Sequence, residues 1–296
     1  MSFDKNIKIA FLGGDMRSAI AAMKLADKMN IFAWRVPGIE GEASVFCCNE
    51  ITEAVSDAYA IVLPLPASLD GALLNCKAEG EKIFLKDIID ILHKDSLVVG
   101  GKIPREIKDY AAKKGIKSID YFESESFQIK NAYTTAEAAL NIAMNSLLKN
   151  IRGAKIAVTG YGRISKQLVK LLLSLDAHIT LAARKESDLT WARLSGCETL
   201  KIGDTGSISQ LCSGYDIIFN TVPYLLFDEE FLVNVDKKTL LIELASTPGG
   251  IDVSAAKRLK SAVLWAASLP GKYAPESAGE LIAECVNDII EAEVNL

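Results

Sequence analysis

Residues 155–185 read KIAVTGYGRISKQLVKLLLSLDAHITLAARK, and this stretch decides the fold. Lys155-Ile156-Ala157-Val158-Thr159 is an apolar, β-rich run. Gly160-Tyr161-Gly162-Arg163-Ile164-Ser165 follows, then helical sequence to Leu175, a turn at Asp176-Ala177, and a second apolar run, Ile179-Thr180-Leu181-Ala182-Ala183. Strand, glycine turn, helix and strand in this order are the context in which G-x-G-x-x-G/A marks a dinucleotide site. The first glycine permits the tight turn and the second lets the backbone approach a pyrophosphate. The helix N-terminus then offers unpaired N–H groups and the positive end of its dipole. Ser165 stands at the third position, small enough for close helix–strand packing. The competing reading is an ordinary turn of an α/β domain.

The tip of the second strand carries further information. An acidic residue for the ribose 2′-hydroxyl is expected about 20 residues beyond the glycines. Here the strand ends Arg184-Lys185-Glu186-Ser187, with two cations ahead of any carboxylate. Cations there suit the 2′-phosphate of NADP(H); the alternative is a pair of solvated surface charges.

The 296 residues suffice for two domains, half of them are hydrophobic, and the net charge of −5 comes without a long basic run, which argues against nucleic acid as a partner. No apolar stretch reaches the length of a membrane span, and residues 1–6 do not read as a signal peptide. Cys47, Cys48, Cys76, Cys197, Cys212 and Cys285 form no C-x-x-C pair and no metal spacing, as in a reduced, cytoplasmic protein. His93 and His178 are far apart, so neither a histidine-based catalytic pair nor a zinc site is expected, and no metal is assigned.

Ahead of the glycine motif, strands are expected at 7–12, 31–34, 59–63, 97–101 and 116–120, with helices between them. Gly13-Gly14-Asp15 after the first strand resembles a degenerate nucleotide turn, preferably read as a plain strand-to-helix turn. Asp15 and Arg17 would nevertheless sit at a carboxyl edge of the sheet, where α/β proteins place ligands. Residues 67–82 form an excursion rich in small and polar residues. Pro104 opens a helix as its first residue. Thr134 with Glu137 has capping-box spacing and predicts the start of a packed interdomain helix over 134–150. Beyond the motif, strands at 216–223, 240–246 and 263–266 each end in small, Pro or Gly residues. Bulky side chains there would block a dinucleotide. The last helix, from Glu276 to about Glu293, has Leu281, Ile282, Cys285, Ile289 and Ile290 at helical spacing.

Several segments resemble one family. These are Gly13-Gly14-Asp15-Met16-Arg17, Val158-Thr159-Gly160-Tyr161-Gly162-Arg163, Ala182-Ala183-Arg184, Asn220-Thr221-Val222-Pro223, Leu244-Ala245-Ser246-Thr247-Pro248-Gly249-Gly250, and residues 269–279, LPGKYAPESAG. Together they look like the dehydrogenase-like A subunit of dipicolinate synthase, the enzyme of spore-forming bacteria that makes pyridine-2,6-dicarboxylate. The likeness spans nearly the whole chain outside residues 70–82. The glycine motif is shared with many dehydrogenases, whereas residues 269–279 and the N-terminal Gly-Gly-Asp-x-Arg are more specific. The resemblance implies NADP-linked oxidation of a dihydrodipicolinate-type intermediate of the lysine branch. It implies a smaller flavoprotein-like partner, the B subunit of dipicolinate synthase, and a cytoplasmic site in the mother cell; homo-oligomerisation stays open.

The expected architecture is α/β, with two Rossmann-like domains of parallel sheet joined by packed helices around a cleft. Residues 1–133 form the substrate or partner domain and 151–275 the NADP domain, and residues 276–296 return to the first. The cofactor set is Gly160, Gly162, Arg163, Ile164, Arg184, Lys185, Thr221, Val222, Pro223, Ala245, Ser246, Pro270 and Gly271. A small dicarboxylate substrate calls for cations. Arg17, Lys102, Arg105, Arg163 and Lys272 each follow a strand end, and Arg17 and Lys272 are preferred. Asp15 and Tyr133 are the candidate proton acceptors, so Asp15, Arg17 and Lys272 make up the catalytic set. Two other readings stand beside this one: another NAD(P)-dependent 2-hydroxy or amino acid dehydrogenase, and a non-catalytic nucleotide-binding subunit.

Overall fold

A computed structural model describes residues 7–203 and 207–294; residues 1–6, read above as lacking a signal segment, lie outside them. The chain divides into two compact units, Met1–Asn131 with Pro270–Leu296, and Ala132–Leu269.

The first unit contains β1 (Lys8–Leu12), β2 (Asn30–Trp34), β3 (Val45–Cys48), β4 (Ala60–Val62), β5 (Leu97–Gly100) and β6 (Lys117–Asp120), in the spatial order β3-β2-β1-β4-β5-β6. The second contains β7 (Lys155–Thr159), β8 (His178–Ala183), β9 (Glu198–Lys201), β10 (Ile217–Asn220), β11 (Leu240–Glu243) and β12 (Val263–Trp265), in the order β12-β11-β10-β7-β8-β9. All pairings between these strands are parallel. Read from the third strand of each unit, both orders are 3-2-1-4-5-6, the doubly wound arrangement in which a nucleotide lies across the carboxyl edge where the order reverses. The α/β class with two parallel sheets is thus the observed one. The middles of the central strands are apolar because helices cover both faces: Ile156, Ala157 and Val158 are fully buried, as are Ile9 and Ala10.

Two strands were not legible. Both lie on sheet edges, β3 (VFCC) with an apolar run of only four residues and β9 (ETLK) with none; pairing with β2 and β8 makes them strands. The capping box at Thr134 is a correction, because the helix there spans Glu125–Ser146 and passes straight through it. Its start is fixed nine residues earlier, where the Ser124 backbone carbonyl accepts from the Gln128 N–H at 3.0 Å. Phe127, 1% exposed, is packed against Tyr121 at 5.1 Å between ring centroids. Tertiary anchoring of that first turn outweighs the local signal further on. Pro104 sits one place before its helix, Arg105–Lys113.

In the first unit the helix Pro275–Val294 packs on the helix Met16–Leu25. Leu281, Ile282, Val286 and Ile290 are buried in the same cluster as Ala19, Ala22 and Leu25. Each such aliphatic side chain contributes about 1.5–3 kcal/mol on burial. Gly279 permits the approach: a Cβ there would lie 2.7 Å from Ile20 Cβ and 2.9 Å from the Arg17 carbonyl oxygen. Lys24–Glu280 (2.6 Å), Lys117–Glu293 (2.6 Å) and Lys130–Glu284 ion pairs flank the contact.

Candidate functional site

The turn after β7 begins at Gly160, with φ +84° and its N–H donating to the Ala182 carbonyl at 2.8 Å. A Cβ there would stand 2.8 Å from Thr221 Oγ1 and 2.9 Å from Val222 Cγ2, so both backbone conformation and space require glycine. Gly162 is the N-cap of the helix Arg163–Ser174, and a Cβ on it would meet nothing within 4 Å. Its cap is supplied by no side chain, and the space over it is open. That is the fit a pyrophosphate requires.

Ser165, in place of the third glycine, is fully buried and lies 2.7 Å from Thr221 Oγ1. Thr221 donates its own hydroxyl proton to the Thr159 carbonyl (2.8 Å), so Ser165 is the donor between the two. The serine thereby ties the helix to the end of β10, and the Thr221 hydroxyl is spent inside the fold.

A groove of about 880 Å³ opens beside this turn, lined among others by Gly160, Gly162, Arg184, Lys185, Asp188 and Val222. Arg184 and Lys185 are exposed at the tip of β8, and Asp188 is half-buried on the same wall. Glu186, the first carboxylate after the strand, is turned to Arg193, whose hydrogen bond and charge hold it below the usual glutamate range. Arg163 and Ile164 open the helix beside the groove. Pro223, Ala245 and Ser246 lie on turns at the ends of β10 and β11, outside the groove lining.

Those turns are joined by a polar network absent from the expected set. Asn220 and Glu243, 1% and 2% exposed, end β10 and β11. Asn220 Oδ1 accepts from Thr159 Oγ1 (2.7 Å) and the Val222 N–H (3.0 Å). Asn220 Nδ2 donates to the Val222 carbonyl (3.0 Å) and to both Glu243 oxygens (2.8 and 3.0 Å). Glu243 also accepts from the N–H groups of Ala245 (2.9 Å) and Gly250 (2.8 Å). Burial pushes the Glu243 carboxyl above its ordinary range, against the pull of these donors. These polar side chains end both strands early, at Asn220 and Glu243, where apolar alternation alone carries them further. The only signal in the sequence was one polar letter at the same end of two apolar runs.

In the first unit, Gly13 (φ +63°) donates its N–H to the Trp34 carbonyl at 2.9 Å and Gly14 has φ +98°. Residues 74–77 fold directly over this turn. The Gly14 N–H donates to the Asn75 carbonyl (2.9 Å), the Lys77 N–H donates to the Gly14 carbonyl (3.1 Å), and a Cβ on Gly13 would meet Leu74, Asn75 and Cys76 within 3.2 Å. No room for a phosphate is left there. Asp15 caps the following helix and holds Arg17 through two bonds, to Nε (3.0 Å) and Nη2 (2.9 Å). Arg17 also donates to the Leu65 carbonyl and is 8% exposed. Burial opposes ionisation of Asp15, but the hydrogen bonds and charge of Arg17, with Lys77 at 3.8 Å, hold its carboxyl below the usual range. A carboxylate so held is a weak proton acceptor. Tyr133 is exposed, and its hydrogen bond to Glu137 raises its pKa, which disfavours the phenolate.

Pro270 and Gly271, expected at the cofactor, fall in the first unit, where a Cβ on Gly271 would lie 2.8 Å from Arg17 Nε. This glycine is required by the guanidinium. Lys272 beside it is exposed. Lys102 lies over the Phe122 ring (4.5 Å) and Arg105 is paired with Asp109 (4.0 Å). Among the described residues no cluster of three or more His, Cys, Asp or Glu could hold a metal, and no helix is long and apolar enough to cross a membrane.

Residues 8–122 match the family described as the N-terminal domain of the dipicolinate synthase A subunit. Over 287 residues, 96% of this chain and 96% of its relative, the sequence is 26% identical to the dipicolinate synthase A subunit of Bacillus subtilis (strain 168). The crystal structure of the corresponding subunit from Bacillus halodurans superposes with a TM-score of 0.86 at 24% identity, covering 97% of this chain and 98% of that one. The A chain of the Bacillus subtilis enzyme gives 0.83 at 25% identity, covering 99% and 98%. The resemblance read from the sequence motifs therefore holds along the length of the chain.

Proposed function

From this likeness to the dipicolinate synthase A subunit we infer that the chain is an NADP-dependent oxidoreductase that converts a dihydrodipicolinate-type intermediate to dipicolinate, working with a flavoprotein-like B subunit. The observation that carries the cofactor part is the open space over Gly162 beside the two cations at the tip of β8. A dinucleotide held by these residues would supply a hydride acceptor for the dihydropyridine ring, which loses a hydride and one proton as it becomes aromatic. The chain's own task is to bind and orient. Gly160 and Gly162 let the backbone reach the pyrophosphate, and Arg184 with Lys185 meets the 2′-phosphate through charge-assisted bonds. Lys272, exposed and carrying one positive charge, is the cation offered to a substrate carboxylate; Arg17, already gripped by Asp15, serves as a fixed support for residues 270–272. The setting is the cytoplasm of the mother cell of a spore-forming bacterium.

One observation favours a second reading, a nucleotide-binding subunit whose chemistry is completed by its partner. Both proton-acceptor candidates are engaged, Asp15 with Arg17 and Tyr133 with Glu137. A single experiment tests the need for the partner and the oxidoreductase reading itself. Dihydrodipicolinate with NADP, and in parallel with NAD, is given to the purified chain alone and then with the flavoprotein-like partner, and nicotinamide absorbance is followed. Reduction of NADP only when both chains are present is the expected result. Turnover by the chain alone removes the need for the partner, and none under any condition removes the oxidoreductase reading.

A further inference from the structure

The carboxyl edge of the second sheet has two halves. β7, β8 and β9 carry the glycine turn and the Arg184 tip, and β10, β11 and β12 carry the turns that begin at Thr221 and Leu244. In a doubly wound sheet each half serves one mononucleotide, so the second half faces the nicotinamide end of a dinucleotide. The two turns of that half are joined by backbone bonds, from the Leu226 and Phe227 N–H groups to the Gly250 carbonyl (2.9 Å each) and from the Leu244 N–H to the Asn220 carbonyl (2.8 Å), and by the Glu243 side chain. Its two oxygens go to different places: Oε1 accepts from the Ala245 N–H and Oε2 from the Gly250 N–H, while Asn220 Nδ2 bridges both. Asn220 is in turn bonded to both backbone groups of Val222, which lines the groove, and to Thr159, the residue before Gly160. Beside those backbone bonds, one buried carboxylate ties residues 244–250 to Asn220 in residues 220–222, and through Asn220 to Thr159 at the start of the glycine turn.

We propose that Glu243 is a positioning residue for the nicotinamide half of the dinucleotide site, acting through Asn220 and the backbone N–H groups of Ala245 and Gly250. The inference rests on the dinucleotide reading of the same groove. Glutamine at 243 keeps the shape but has only one acceptor oxygen. Whichever way its amide is turned, its NH2 faces either the Ala245 or the Gly250 N–H, donor against donor, and one of the two side-chain ties is lost. The Arg184 tip, on the other half of the sheet, makes no bond to this network.

The test compares two probes by titration calorimetry, NADP and 2′-phospho-ADP-ribose, which is NADP without its nicotinamide. Glu243→Gln is expected to weaken NADP about tenfold and to leave 2′-phospho-ADP-ribose unchanged, whereas Arg184→Ala weakens both. General loosening of the fold would lower the two affinities together, so the split between them distinguishes positioning from mere support. Thr159→Val, which removes one hydroxyl from the network and keeps a β-branched side chain, is expected to give a smaller loss with the same split, and serves if Glu243→Gln fails to fold. Equal weakening of both probes, or no weakening of NADP, overturns the inference alone. Wild-type protein that binds neither probe overturns the dinucleotide reading along with it.

Discussion

The two units present the same turn and use it in opposite ways. In each, the first glycine after the first strand has positive φ and gives its N–H to a carbonyl at the tip of the neighbouring strand, Gly13 to Trp34 and Gly160 to Ala182. The sheets share one strand order. The difference lies in what covers the turn. Residues 74–77 bond to Gly14 and fill the space over Gly13, whereas the space over Gly162 is left open. Strand order and glycines make a nucleotide turn possible; the chain that returns over the edge decides whether it remains one.

The sharpest way to break this comparison is to fill the open turn. A Cβ on Gly162 meets no protein atom, so Gly162→Val is expected to cost under about 1 kcal/mol of stability while weakening NADP binding by about 100-fold or more, since several phosphate contacts of roughly 1.5–3 kcal/mol each are blocked. Thermal melts and calorimetric titration of one sample read both quantities. The converse holds for Gly14, where a Cβ would run into Ser18 and Pro64 at positive φ. Gly14→Ala is expected to destabilise by about 1–3 kcal/mol and to leave NADP affinity as it is. If Gly14→Ala lowers affinity at constant stability, the closed turn binds nucleotide after all.

Arg184 sharpens the comparison further. Loss of its bonds to a 2′-phosphate should weaken NADP about 10–100-fold and NAD far less, measured by titrating both dinucleotides into wild type and Arg184→Ala. Asp188, on the same wall, works against that phosphate, so Asp188→Asn should move the NADP preference the other way by a few-fold. Equal effects on both cofactors would reduce Arg184 to a surface charge.

The smallest expected effect is in the closed unit and concerns pH. Against the opposing effect of burial, the bonds and charge of Arg17 hold the folded-state pKa of Asp15 below the ordinary aspartate value. Its pairing therefore stabilises the fold above that value, and the contribution is lost as pH falls through the lower folded value. Urea denaturation of wild type and Asp15→Asn should differ most near neutrality, by on the order of 1–3 kcal/mol, and converge as pH falls through the lowered folded value. A constant difference across that range would mean the carboxylate charge is not what matters.

What could be read in advance followed from local pattern. The buried strands are continuous apolar runs, and the glycines that require positive φ stand where a strand meets a helix. Leu281 and Ile282 recur at helical spacing and are buried as a helical face. What could not be read depends on partners distant in the chain. Leu74 and Asn75 look like any loop until they lie over Gly13. The Glu125 helix starts where Phe127 finds Tyr121, not where Thr134 and Glu137 offer a cap. Asn220 and Glu243 are 23 residues apart and acquire meaning only as one buried pair. Gly271 reads as part of a cofactor turn, but its neighbour is Arg17, more than two hundred residues earlier.

The helix Pro275–Val294 completes the core of the unit whose first strand is Lys8–Leu12, and the whole second unit lies between them in sequence. A ribosome therefore releases residues 132–269, able to close their own core, before it delivers the segment that covers Ala19, Ala22 and Leu25. Until then the Met16–Leu25 helix shows a sticky face to the cell. Translation halted after about residue 270 would yield a folded second unit tethered to an unfinished first one, a natural client for chaperones.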